Sequence, residues 1–124
     1  MATVSLGRVQ LQIMQVLWDK GQANAREITE AINAIEPITH STVQTMLRVL
    51  EDKNAAAHRH EGRAFIFYPL VPESDFKQSA TQNLLESVFG GSVKDLVAHL
   101  LNCRNTSKQE IDELRRLINQ QGKR

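Results

Sequence analysis

Residues 39–68, THSTVQTMLRVLEDKNAAAHRHEGRAFIFY, constrain the fold more than any other stretch, because two hydrophobic periods meet there. Val43, Met46, Leu47 and Leu50 recur at the i, i+3, i+4, i+7 spacing of one apolar helical stripe. Asn54 stands where the stripe stops and is suited to a left-handed helix cap. Phe65-Ile66-Phe67-Tyr68 is the strongest strand signal in the chain, and Glu61-Gly62-Arg63 supplies a turn before it. Ala55-Ala56-Ala57 forms strands poorly alone, so the first strand depends on pairing with the second. The expectation is a helix over 39–53, then a two-stranded hairpin over 55–71 with a basic tip.

The stripe leaves Ser41, Thr42, Gln44, Thr45 and Arg48 facing outward, with no long acidic side chain until Glu51. Hydroxyls, an amide and a guanidinium are groups that meet base edges in a DNA major groove, and Arg pairs bidentately with guanine. Any solvated helix face also carries polar residues, so the helix alone proves little. The hairpin adds Arg59, His60 and Arg63 at its tip, placed to reach a backbone phosphate or a minor groove.

Two shorter helices precede this unit. Residues 6–20 carry Val9, Ile13, Val16 and Leu17 on one side and Leu11, Met14 and Trp18 on another, a helix buried on more than one flank, with Gly21 as its stop. Asn24-Ala25-Arg26-Glu27 starts a second helix as a capping box, and Ile28, Ala31, Ile32 and Ile35 follow until Pro37 closes it. Two short helices and a Pro-containing connection before a polar-faced helix are the ingredients of helix-turn-helix.

Pro72 opens a different region. Residues 73–89 form a helix with Phe76, Ala80, Leu84, Leu85 and Val88 as its stripe, broken by Gly90-Gly91. Ser92 caps a helix bearing Leu96, Val97, Leu100 and Leu101, and Ser107 caps a last one bearing Ile111, Leu114, Leu117 and Ile118. The final Gly122-Lys123-Arg124 is expected to fray. So few residues cannot bury three apolar stripes without help, and the economical help is a second copy of the chain. The dimerisation residues are thus Phe76, Leu84, Val88, Leu96, Leu100, Ile111, Leu114 and Ile118. The chain reads as mostly α with a small β-hairpin: a DNA-binding domain over 1–72 and a three-helix dimerisation region over 73–124.

Composition narrows the function classes. The net charge of +1 is no footprint of a strongly basic nucleic-acid binder, and residues 1–72 hold as many acidic as basic side chains. Affinity for a polyanion must therefore come from local clustering of Arg48, Lys53, Arg59 and Arg63, with His40, His58 and His60 nearby, doubled in a dimer. The apolar runs are far short of the roughly 20 residues that cross a bilayer. Met1-Ala2-Thr3 leads into a helical pattern without the features of a signal peptide, so the reading is cytoplasmic, with no membrane insertion. Cys103 is the single cysteine, which excludes an internal disulfide and any multi-cysteine metal site. No nucleophile–base pair, phosphate loop or metalloprotease motif occurs, which argues against an enzyme, and no cofactor is expected.

In order, LQIMQVLWDKG, ANAREITEAI, THSTVQTMLRVLEDKN, EGRAFIFYPLV, VFGGSVKDLVAHLL and KQEIDELRRLI resemble the penicillinase-repressor family, over nearly the whole chain. That family includes repressors of beta-lactamase and methicillin-resistance genes and copper-responsive repressors. The resemblance implies a winged-helix domain, a helical dimerisation region and repression through a dyad-symmetric operator on double-stranded DNA, one recognition helix per half-site. It places the base-reading positions on Ser41, Thr42 and Thr45; Gln44 and Arg48 join them by helical geometry.

Two departures bear on regulation. Antibiotic-responsive members are induced through a membrane sensor-protease system, by proteolysis at an Asn-Phe pair in the dimerisation region. Aligned on LVAHLL and EIDEL, that position falls on His99-Leu100, a different pair and the candidate cleavage point here. Copper-responsive members carry a C-terminal cysteine cluster, for which Cys103 alone is no substitute.

Two alternatives stand beside the operator-binding reading. One is a metal- or redox-sensing repressor using His99 and Cys103, four apart on a helix, with His58 and His60 sharing a strand face; neither pair closes a site within one chain. The other is a winged helix that binds protein, which near-neutral charge favours and the absence of exposed apolar anchors on the third helix opposes.

Overall fold

The computed structural model describes residues 6–123. The Met1-Ala2-Thr3 start and the terminal Arg124 lie outside them. Among these residues six helices and one hairpin follow in the order α1 (Arg8–Lys20), α2 (Ala25–Asn33), α3 (His40–Asp52), β1 (Ala56–Glu61), β2 (Ala64–Pro69), α4 (Glu73–Phe89), α5 (Val93–Cys103) and α6 (Lys108–Gly122). The chain divides into two compact units, Met1–Ala80 and Thr81–Arg124, so the early turns of α4 belong with the first.

The first unit is built on a core of Ile13, Met14 and Leu17 from α1, Ile28 and Ile32 from α2, and Val43, Leu47 and Leu50 from α3, closed by Ala55, Ala56 and Phe67 of the hairpin. Each large aliphatic side chain so buried contributes roughly 1.5–3 kcal/mol relative to exposure. Ala55 and Ala56 are buried although alanine is a poor strand former, because a small side chain lets the backbone of β1 lie close on α3. The hairpin is antiparallel, with His58 opposite Phe67, His60 opposite Phe65 and Glu61 opposite Ala64. That register leaves a two-residue loop, whose Gly62 has φ +64°, as the hairpin twist demands. Ala23, between α1 and α2, exchanges both backbone hydrogen bonds with Phe67 at 3.0 and 2.9 Å, which fastens the hairpin to the helices.

The helix ends are set by side chains. Asn24 caps α2 reciprocally with Glu27: the Glu27 amide donates to Asn24 Oδ1 at 2.8 Å and the Asn24 amide to Glu27 Oε1 at 3.0 Å. Thr39 caps α3, its Oγ1 accepting from the Thr42 amide at 3.1 Å. At the far end Asn54 adopts φ +61°, with Ala55 N–H bonded to Leu50 O at 2.9 Å and Asn54 N–H to Glu51 O at 3.0 Å, the pair of bonds of a Schellman cap.

Helix α2 ends at Asn33, earlier than Pro37 predicts. Proline disfavours helical angles at the residue before it, which alone would let the helix run to Ile35. Here Asn33 Oδ1 takes the Ile38 amide at 2.9 Å, and Glu36 is drawn toward α1 by Arg8 (2.7 Å) and Gln12. Ile35, expected on the buried stripe, falls in the connection and is 84% exposed. Trp18 donates Nε1–H to Val71 O at 2.8 Å and lies 5.5 Å from the Phe76 ring, so Phe76 of the α4 stripe is engaged inside the first unit.

In the second unit Ser92 and Ser107 cap α5 and α6, accepting the Asp95 and Glu110 amides at 3.1 Å each. Gly90 and Gly91 both take positive φ between α4 and α5, a reversal that L side chains resist. No residue of α4, α5 or α6 is buried. Leu100 is 56% and Ile118 63% exposed. Among the described residues no helix is long and apolar enough to cross a membrane.

Candidate nucleic-acid interface

Helix α3 turns by roughly 100° per residue, and with Val43, Leu47 and Leu50 fixed in the core this decides where its polar residues stand. Ser41, Thr45 and Arg48 lie farthest from the core. Thr42 stands on one flank of that row. Gln44 stands on the other, the flank facing the hairpin. All five are exposed.

Local hydrogen bonds divide the five by what they still offer. Thr45 Oγ1 donates to Ser41 O at 3.0 Å, so its hydroxyl proton is engaged, and its lone pairs and methyl group remain. Thr42 Oγ1 lies 2.8 Å from Thr39 Oγ1 and is part of the cap. Ser41, Gln44 and Arg48 make no side-chain hydrogen bond or ion pair among the described residues. The helix thus presents an acceptor and a methyl at Thr45, free donors at Arg48, and both kinds of group at Gln44 and Ser41.

The hairpin sorts its own residues by strand alternation. His58 and His60 share a face with Phe65 and Phe67, and this is the face turned to α3, since Phe67 is buried there. The His58 ring stacks on Phe65 at 4.7 Å between centroids, and His60 meets the same Phe65 edge-on at 4.5 Å. His58 Nδ1 lies 2.6 Å from Glu51 Oε2, which ties β1 to the last turn of α3. Arg59 points to the opposite face. Its Nη2 donates to Gln22 Oε1 at 2.7 Å and to Glu61 Oε2 at 3.3 Å. The structure therefore brings Arg63 and His60 to the side of α3, and it sets Arg59 apart from them.

Between α3 and the hairpin lies a cavity of about 440 Å3 whose lining includes Gln44, Leu47, Arg48, Arg63 and Phe65. Arg26 and His40 also line it; His40 figures in the sequence only as one of the histidines near the basic cluster, and Arg26 does not stand out there. His40 is fixed by Thr29: that hydroxyl donates to Ala25 O at 2.7 Å, so the His40 Nδ1 at 3.2 Å donates to it. The only sequence signal for Arg26 is its place in the first turn of α2, beside the start of α3 once the two helices pack.

The other candidates sit in the second unit. His99 and Leu100 lie inside α5, exposed, with His99 Nδ1 donating to Asp95 O at 3.0 Å and its ring 5.3 Å from Phe89. Cys103 is a free, exposed thiol at the end of the same helix. Among the described residues no three His, Cys, Asp or Glu side chains stand close enough to share a metal ion.

Comparison with known proteins adds to this geometry. The family model described as penicillinase repressor matches residues 6–120. The penicillinase repressor of Bacillus licheniformis is 29% identical over 109 residues, 88% of this chain and 85% of that protein. The methicillin resistance regulatory protein MecI of Staphylococcus aureus strain N315 is 28% identical over 117 residues, 94% of this chain and 95% of that one. Among solved structures, the Bacillus licheniformis BlaI monomeric form in complex with the blaP half-operator superposes with a TM-score of 0.52 at 31% identity, over 60% of this chain and 90% of that one.

Proposed function

The chain belongs to the penicillinase repressor family of DNA-binding transcriptional repressors, and we propose that it represses as a homodimer, each copy seating α3 in the major groove of one half of a dyad-symmetric operator. It is a repressor and not an enzyme. The observation that carries this docking is the row Ser41, Thr45 and Arg48, outermost on a capped helix whose other side is locked in the core. Arg48 offers its fork to guanine O6 and N7, while Thr45 accepts from a cytosine or adenine amino group or sets its methyl against that of thymine. Ser41 completes the row, and Thr42 and Gln44 flank it and extend the contact to bases and sugar–phosphate.

Arg63 and His60 reach the backbone from the wing. Arg59 joins them only by exchanging Gln22 and Glu61 for a phosphate, a weaker contribution. The dimer is supported by the bare apolar faces of α4, α5 and α6, above all Leu84, Val88, Leu100 and Ile118. Burying such faces is favourable at roughly 25 cal/mol per Å2, and two-fold pairing gives two recognition helices for two half-sites. Upstream, a membrane sensor-protease system acting at His99–Leu100 would first have to open α5, because a protease binds extended backbone and both residues are helical.

The deciding experiment is selection of random duplex DNA by the purified protein at near-physiological salt. A two-fold symmetric motif with half-sites about one helical turn apart is expected. An unenriched pool from a folded dimer would overturn the docking and move a protein partner onto the face of α3.

A further inference from the structure

The cavity between α3 and the hairpin has features that DNA contact does not require. It is a half-open groove of about 440 Å3, within the roughly 300–1,000 Å3 range of small-molecule sites. Leu47, Phe65 and Phe67 give it an apolar lining, yet Phe65 remains 47% exposed on a hairpin face where a solvated side chain would cost nothing. Phe65 is also held flat: it stacks on His58 with 23° between the ring planes, and His58 is in turn fixed to Glu51. A rigid, half-open aromatic wall beside aliphatic carbon suits a flat ring.

The charge around that wall is mostly positive. Arg26, Arg48 and Arg63 line the cavity from three different elements, α2, α3 and the hairpin loop. Glu51 is the one acidic lining residue, and its carboxylate is already engaged by His58. Arg26 has Glu30 at 3.6 Å, whereas Arg48 and Arg63 have no ion-pair partner among the described residues. Two free guanidiniums facing one apolar pocket are complementary to a carboxylate, which Arg binds bidentately.

We infer that this groove is an effector site for a small organic anion with a flat, ring-shaped apolar body, such as an aromatic carboxylate. Its ring lies against Phe65 and Leu47, and its carboxylate pairs with Arg48 and Arg63. Because Gln44, Arg48 and Arg63 also serve operator contact, the bound anion and DNA exclude each other, and the ligand acts as an inducer. The exclusion rests on the DNA-binding reading; the binding itself does not.

The test uses the full-length protein without DNA, titrated with 2-naphthoate and, separately, with the neutral 2-naphthamide, followed by amide NMR shifts. Saturable shifts at Gln44, Arg48, His58 and Phe65 are expected, with the amide at least tenfold weaker. Arg48→Gln, Arg63→Gln and Phe65→Ala should each weaken 2-naphthoate at least fivefold, while thermal unfolding confirms that each variant is folded. No saturable shift, equal binding of acid and amide, or shifts confined to α5 and α6 would overturn the proposal. A second arm adds 2-naphthoate to the protein on its selected operator. Release of DNA completes the inducer role. If the anion binds in the groove and DNA stays bound, the anion site stands, the inducer role fails, and the docking of α3 must be wrong.

Discussion

Glu51 Oε2 and His58 Nδ1 lie 2.6 Å apart and join the last turn of α3 to the first strand of the hairpin. Both side chains are about one-quarter to one-third exposed, so the contact is partly shielded from water. A hydrogen bond of this kind contributes about 1 kcal/mol net, somewhat more when one partner is charged. Glu51→Ala and His58→Ala should each lower unfolding stability by about 1–2 kcal/mol in urea titrations. The double variant should cost less than the sum, because the two residues share one interaction. Strict additivity would mean that the tie does not form in solution.

Thr45→Ala separates base reading from helix stability. Alanine is the better helix former, so the variant should be as stable as wild type or more so by a few tenths of a kcal/mol. Specific operator affinity should nevertheless fall by roughly 1–3 kcal/mol while non-specific affinity holds. Thr45→Val keeps a methyl and loses the oxygen, so comparing the two tells whether the acceptor or the methyl is read. Binding isotherms on operator and scrambled duplex decide it, and unchanged operator binding in both variants would remove Thr45 from the interface.

Arg63 and Arg59 carry the same charge near the same hairpin, and their surroundings predict different behaviour. Arg63 has no ion-pair partner among the described residues, whereas Arg59 is held by Gln22 and Glu61. Arg63→Ala should weaken binding to all sequences alike and reduce the slope of log K against log salt by about 1. Arg59→Ala should change that slope by clearly less. Fluorescence anisotropy across a salt series measures both, and equal slopes would show that Arg59 leaves its partners on DNA.

How much of this was legible in the sequence depends on whether a feature is local. The α3 stripe, the Asn54 cap, the hairpin loop at Gly62 and the bounds of α4 follow from spacing and backbone preference within a few residues, and the structure has them. The end of α2 does not follow, because Asn33 and the distant Arg8 and Gln12 decide it rather than Pro37. Phe76 reads as part of a uniform stripe, yet Trp18, far away in sequence, takes it into the first unit. The division of Arg59 from Arg63 needs the strand register, and the groove needs α2, α3 and the hairpin packed together. No single window of sequence contains either.

The second unit yields the most consequential prediction. Ser92 and Ser107 cap α5 and α6, yet neither helix buries a residue, and large apolar side chains left bare in this way mark an interaction site. Leu100→Asp places a charge on the α5 face at a residue already 56% exposed, so it should leave the folding of a single copy largely untouched. A carboxylate buried against a second copy without a partner is strongly unfavourable, so the dimer should dissociate. Sedimentation velocity should show wild type as a dimer and the variant as a monomer at micromolar concentration. Operator affinity should fall about 100-fold or more, because the second half-site no longer binds at the effective concentration that linkage provides. Affinity for an isolated half-site should hold, since α3 and the wing lie in the first unit with a core of their own. A variant that stays dimeric would place the dimer interface elsewhere, whereas a monomeric variant with full operator affinity would show that repression does not need two linked recognition helices.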